Sequence, residues 1–422
     1  METRKLWEDL GVDMEKHDQL MTALPTMFKD VFLTQEKTPK KMDYFYGLAG
    51  DIHGQRVKEI NEGRKNGRKA IATFCVFVPE EIILAADGYA IGLCAGSQFW
   101  VPDGETVLPR NTCPLIKAFM GAKVGRTCPY FESTDLVVGE TTCDGKKKAW
   151  ELLGERMPVY VMELPQMKKD GDIDEWKSEI ERFKDKVEEV TGNKITTEKL
   201  LESMKIIRNK KDALKRFYNL RKHNPAPVSG RDALLVTQLS FFDDPVRFTE
   251  KLNELCDELD DRVKNGVSPF KKDTKRILLS GTPQALPNWK LHDIIEKSGA
   301  SIVCEETCTG TRYFDRGEQP KDGSSMDQLM DSIAHDGMDV NCACFTPNDK
   351  RTDDIIRLFK EYNADGVIYE DLTFCTSYSI EYARVEKALK EAGIPLLHLE
   401  TDYSDEDSGQ LQTRVEAFLE ML

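Results

Sequence analysis

An α/β fold with two parallel-sheet domains, joined by a helical segment, is predicted for this chain of 422 residues. Three observations carry the prediction. The length exceeds what one ordinary hydrophobic core accommodates, so two or three domains are expected. Apolar strand-like runs alternate with helical stretches in two separate regions, the pattern of repeated strand–helix units around a parallel sheet. Between those regions Asp, Glu, Lys and Arg dominate, with apolar residues at helical spacing.

Residues 1–64 read as a polar, helical N-terminal segment. The first α/β domain is assigned to 65–165. It opens with "RKAIATFCVFVPEEIILAADGYAIGLCAG", which reads strand, turn, helix, strand. "TDLVVGETTC" is a third strand, "KKKAWELLG" a helix and "MPVYVMELPQ" a fourth strand. Residues 166–273 form the helical arm, on the pattern of "WKSEIERFKDKVEEVTG" and "RFTEKLNELCDELDDRV". The second α/β domain, 274–422, brings "RILLSGTP", "ASIVCEETC", "DVNCACFTP", "DGVIYEDLTFC" and "IPLLHLETDYS" as further strands. Two similar halves imply a cleft between them.

Composition excludes several functions. A hydrophobic content of 40% with 32% charged residues is that of a globular protein. The net charge of −15 argues against a nucleic-acid partner, whose phosphates need clustered Lys and Arg. The start, METRKLWEDLG, has no apolar signal-peptide core, so a cytoplasmic location is expected. Ile82 to Gly96 is too short and too charged to cross a membrane. Lys146-Lys147-Lys148 reads as a solvated helix face. The histidines are scattered singly, and His53 reads as structural. No Ser-His-Asp arrangement or paired-carboxylate signature stands out.

"GETTCDGKKKAW" superficially resembles a phosphate-binding loop. Its glycines are spaced one residue too far apart, and Lys147 stands where a hydroxyl is needed. Cys143 sits in that loop instead, and it belongs to a larger set. Cys75, Cys94, Cys143, Cys308, Cys344 and Cys375 fall at the carboxyl ends of the expected strands, where open α/β sheets bind ligands. Cys113 and Cys128 precede prolines near expected helix starts, where the helix dipole favours a thiolate. Cys256 lies on the apolar stripe of a helix and reads as core. There is no Cys-x-x-Cys, against zinc ribbons and bacterial ferredoxin runs. Dispersed thiolates suit an iron–sulfur centre enclosed between domains.

"VPEEIILAADGYAIGLCAG", "LPRNTCPLIKAFMG", "DLVVGETTCDGKKKAWE", "EETCTGTR", "YNADGVIYEDLTFCTSY" and "ETDYSDEDSGQLQTRVEAFLEML" together resemble the 2-hydroxyacyl-CoA dehydratase and benzoyl-CoA reductase family. The resemblance runs from about residue 65 to the C-terminus and is closest to the double-cubane cluster proteins. It implies two flavodoxin-like domains and oxygen-sensitive iron–sulfur clusters in the cleft, as in anaerobic enzymes. It also implies a separate dimeric ATPase that injects low-potential electrons, and a C2 homodimer. Dehydratase subunits carry cysteines matching Cys113, Cys143, Cys308 and Cys375. Cys75, Cys128 and Cys344 are the candidates for a second cubane, joined to the first by a bridging sulfide as [8Fe-9S]. About six thiolates would complete two such cubanes, so one of these seven is surplus. Cys342 is a weaker option, and Cys304 and Cys94 are left as structural.

Two activities are expected from the resemblance. One is an ATP-dependent reductase of a small unsaturated substrate. The other is an (R)-2-hydroxyacyl-CoA dehydratase subunit built on a [4Fe-4S] cluster. A non-catalytic cluster store or a zinc protein is the third reading. The chain has no nucleotide loop of its own, so ATP hydrolysis falls to the partner.

Overall fold

The computed structural model describes residues 2–93 and 95–422; Cys94, read above as structural, lies outside the described residues. Strands β1 (Ala70–Thr73), β2 (Tyr89–Gly92), β3 (Leu136–Glu140) and β4 (Val159–Met162) form one sheet in the order β2-β1-β3-β4. Strands β5 (Lys275–Gly281), β6 (Ala300–Glu306), β7 (Gly366–Leu372) and β8 (Leu396–Thr401) form a second in the order β6-β5-β7-β8. Every pairing is parallel. The two sheets therefore repeat one winding, with the strand-order reversal of doubly wound folds. Strands β1, β3, β6 and β7 are buried along their whole length, as parallel strands covered by helices on both faces must be.

One predicted strand does not form. "DVNCACFTP" is a loop between the helices Met326–Met338 and Asp349–Glu361. Between Val340 and Phe345 its apolar positions are Cys and Ala rather than a β-branched run, and Pro347 cannot donate to a ladder.

The arm comprises the helices Asp172–Thr191, Thr197–Leu220, Gly230–Leu239 and Pro245–Lys264. Local sequence fixes their starts. Thr196 accepts from the Lys199 amide, Ser229 from Asp232, and Asp244 from Val246 and Arg247. Cys256 is buried on the same stripe as Phe248, Leu252, Leu255 and Leu259. Arg221, just after the second of these helices, makes a bidentate pair with Glu305 of β6 at 2.7 and 2.8 Å, and both side chains are fully buried. The arm is thereby tied to the second sheet.

The N-terminal helices pack through a histidine pair. His17 Nε2 lies 3.0 Å from His53 Nδ1, and the Trp7 indole donates to the His53 carbonyl at 2.7 Å. Both imidazoles are buried. Burial lowers His17 to about 4 and His53 to about 3. Between those values and about 6.5 the unfolded chain binds more protons than the folded one, so stability is complete at neutral pH and falls as pH drops. Acidification to pH 5 is expected to cost ~2 kcal/mol per histidine. Chemical denaturation of the wild type and of His17→Asn at both pH values checks this; equal pH slopes would contradict it.

No described helix is long and apolar enough to cross a membrane.

Candidate metal centre

The carboxyl ends of both sheets open on one cavity of about 690 Å³. Cys75 follows β1 by two residues, and Cys143 follows β3 by three. These neighbouring strands flank the point where the strand order of the first sheet reverses. From the second sheet Cys308 follows β6 and Cys375 follows β7. Cys113 immediately precedes the helix Pro114–Val124, with Pro114 preset for the first helical position. Cys342 and Cys344 come from the loop that replaces the expected strand. All seven of these cysteines line the cavity.

Two backbone features lie at the strand ends of the second sheet. Gly281 ends β5 at φ 142°, and a Cβ there would meet the Glu370 carbonyl oxygen at 1.7 Å. Only glycine permits this approach of the two strand ends. Phe374 has φ 64° although it is not glycine, and it turns the chain from β7 into Cys375.

The thiols fall into two groups. Cys113 and Cys375 face each other closely enough for their thiols to titrate as a pair. Cys143 interacts electrostatically with both and is raised chiefly by burial. In the second group the Cys308 thiol is coupled to those of Cys342 and Cys75, and Cys342 is coupled to Cys344. Among the described residues no three His, Cys, Asp or Glu side chains converge as ligands of a single ion. The donors instead surround a volume, and they are the soft thiolates that polynuclear iron–sulfur centres take.

The remaining cysteines differ. Cys128 also begins a helix before a proline, but it lines a separate small cavity with Trp100, His53 and Tyr130. Burial pushes it up to about 11, and no side-chain bond to another thiol among the described residues offsets this. The structure does not bring Cys128 to the other candidates, and it does bring Cys342. Cys304 is buried within β6 and Cys256 within the arm, and burial raises both thiols. His53 likewise does not line the main cavity.

The basic run after Cys143 is not the uniformly solvated face expected of it. Lys147 and Lys148 face outward, but Lys146 is buried, paired with the Glu140 carboxylate and 5.5 Å from the Trp150 ring. A charge run says nothing of which member meets a buried partner. The glutamate ending β3, six residues before Lys146, was the signal available. Lys146 also lines the cavity and places a cation beside Cys143.

The family model for "2-hydroxyglutaryl-CoA dehydratase, D-component" matches residues 75–422. The chain is 36% identical over 365 residues to "Putative dehydratase subunit YjiM" of Escherichia coli (strain K12), covering 85% of this chain and 93% of that one. It is 26% identical over 388 residues to "(R)-phenyllactyl-CoA dehydratase beta subunit" of Clostridium sporogenes, covering 90% and 99%. It is 24% identical over 352 residues to a benzoyl-CoA reductase subunit of Thauera aromatica, covering 82% and 88%.

Proposed function

Because the chain belongs to the 2-hydroxyglutaryl-CoA dehydratase D-component family, we propose that it is an iron–sulfur reductase whose cavity thiols hold a double-cubane [8Fe-9S] centre. The observation that supports this most directly is the gathering of seven thiols in two groups around one cavity. Cys113, Cys143 and Cys375 would hold one cubane. Three of Cys75, Cys308, Cys342 and Cys344 would hold the other. When bound, such a centre supplies low-potential electrons to a small unsaturated substrate.

The chain's own residues prepare the site for it. Backbone amides of Leu115 and Ile116 bond the Cys113 sulfur, that of Lys146 bonds Cys143, and that of Tyr378 bonds Cys375. These are first-turn amides of three helices, so they stabilise sulfur in its anionic form. Phe74, Ile116, Phe241, Leu286 and Phe345 give the cavity apolar walls, which limit water beside the thiolates.

Electrons arrive, in this reading, from a separate dimeric ATP-hydrolysing activator, and the chain acts as a homodimer. Reduction of a small unsaturated substrate should need this protein, the activator, ATP and a low-potential reductant together. Full turnover by the chain and reductant alone would contradict the coupling.

A second reading, a subunit of an (R)-2-hydroxyacyl-CoA dehydratase with a [4Fe-4S] cluster, is favoured by the names of several relatives. Dehydration of a 2-hydroxyacyl-CoA on addition of a different second subunit would support it. Seven cavity thiols favour the first reading, because one cubane uses at most four.

A further inference from the structure

Behind Cys308 and Cys342 lies a buried polar network. Its centre is Arg312, four residues after Cys308 and buried. The donors on one side of its guanidinium are committed to the protein. Nε bonds the Glu306 carboxylate, and Nη2 bonds the carbonyl oxygens of Gly281 and Glu306, both at 2.8 Å. The two Nη1 donors point the other way, one to Cys308 Sγ at 3.7 Å and one to the Tyr378 hydroxyl oxygen. That hydroxyl lies 3.7 Å from Cys342 Sγ. Its oxygen accepts from Arg312, so its own proton is free for the sulfur. A thiolate at Cys342 can only accept. Arg312 thus reaches two sulfurs, one directly and one through a tyrosine.

The remaining contacts hold this fork in place. Glu306 also accepts from the Ser280 hydroxyl at 2.6 Å, and Arg351 pairs with Glu306 at 3.4 Å and with Glu381. Two arginines face two glutamates, so the network is balanced within itself. It is also rigid, since every one of the five Arg312 N–H groups has an acceptor.

We infer that Arg312 and Tyr378 are positioning residues that donate hydrogen bonds to the Cys308 and Cys342 sulfurs and raise the reduction potential of the half of the centre those sulfurs hold. The inference rests on the iron–sulfur reading of the cavity. Donors aimed at ligating sulfurs stabilise the more negative, reduced state, and hydrogen bonding of this kind is a recognised determinant of cluster potential. The sulfurs of Cys113, Cys143 and Cys375 face helix amides instead; the cations near them, Lys117 and Lys146, are paired with Glu105 and Glu140, and no guanidinium or tyrosine hydroxyl donates to these sulfurs among the described residues. The two halves would therefore differ in potential, with the Cys308–Cys342 half the easier to reduce.

The test uses anaerobically purified full-length protein, with Tyr378→Phe and Arg312→Lys. Iron and sulfide are measured first. EPR-monitored redox titration follows. Both variants are expected to retain wild-type iron, with a lower midpoint for one of two reduction steps. A tenfold loss in the reduction equilibrium, ~59 mV for one electron, is the expected size for Tyr378→Phe, and Arg312→Lys should lose more. Arg312→Lys also weakens the pairing with Glu306, so Tyr378→Phe, which removes one hydroxyl, is the deciding variant. Full iron with an unshifted midpoint in Tyr378→Phe would overturn this inference and leave the iron–sulfur reading intact. Wild-type protein free of iron would overturn both.

Discussion

Cys375→Ala is expected to lose cluster iron as well as activity, while the chain remains folded. The thiol stands immediately before the helix Thr376–Glu391, coupled to the Cys113 thiol and favoured as an anion by the Tyr378 amide. Alanine removes the donor atom without altering the strand or helix on either side. Iron is expected to fall by roughly half or more, since one cubane of four irons loses a ligand from its trio. Cys143→Ala should behave alike, because that sulfur belongs to the same trio. Cys256→Ala is the matched control: it shortens a buried side chain in the arm and should leave iron unchanged at a modest cost in stability. Iron and sulfide analysis of the three variants, with circular dichroism to verify folding, checks the set. Loss of iron from Cys256→Ala, or full iron in Cys375→Ala, would contradict the assignment.

Arg221→Met is expected to be the most destabilising single substitution outside the thiols. Burial raises the Glu305 carboxyl, but the Arg221 guanidinium more than offsets this and holds it down at about 2. Removing the arginine leaves that carboxylate buried without its bidentate partner, 3.3 Å from the His292 ring nitrogen. Breaking one side of a buried pair costs about 3–5 kcal/mol. Replacing both partners with apolar groups removes the stranded charge, so Arg221→Met with Glu305→Leu should recover much of the loss. Urea denaturation of wild type, single and double variants measures this. A double variant no more stable than Arg221→Met would show that the arginine acts through packing instead.

The strands were legible because parallel strands buried on both faces read as apolar runs, as in "DLVVGE" and "SIVCEE". The cysteines at their ends were legible for the same reason, since a strand's end is fixed once the strand is. The choice among the other cysteines was not. Cys113-Pro114 and Cys128-Pro129 carry the same local signal, and both begin helices. Only the packing of those helices sends one thiol to the large cavity and the other to the cavity beside Trp100. Cys342 and Cys344, two residues apart, fit the alternation of a strand equally well as a loop that turns both thiols inward. Lys146 was hidden in a run of three lysines whose burial depends on Glu140 across a turn. Arg312 and Tyr378 are 66 residues apart in sequence, and no local pattern links them.

If the seven cavity cysteines surround a polynuclear iron–sulfur centre, its irons can be located by an anomalous-scattering map at the iron edge, from crystals of anaerobically prepared protein. About eight irons per chain are expected in two adjacent groups inside the cavity, one against Cys113, Cys143 and Cys375 and the other against Cys308 and Cys342. Four irons or fewer in fully loaded protein, or zinc in their place, would contradict it.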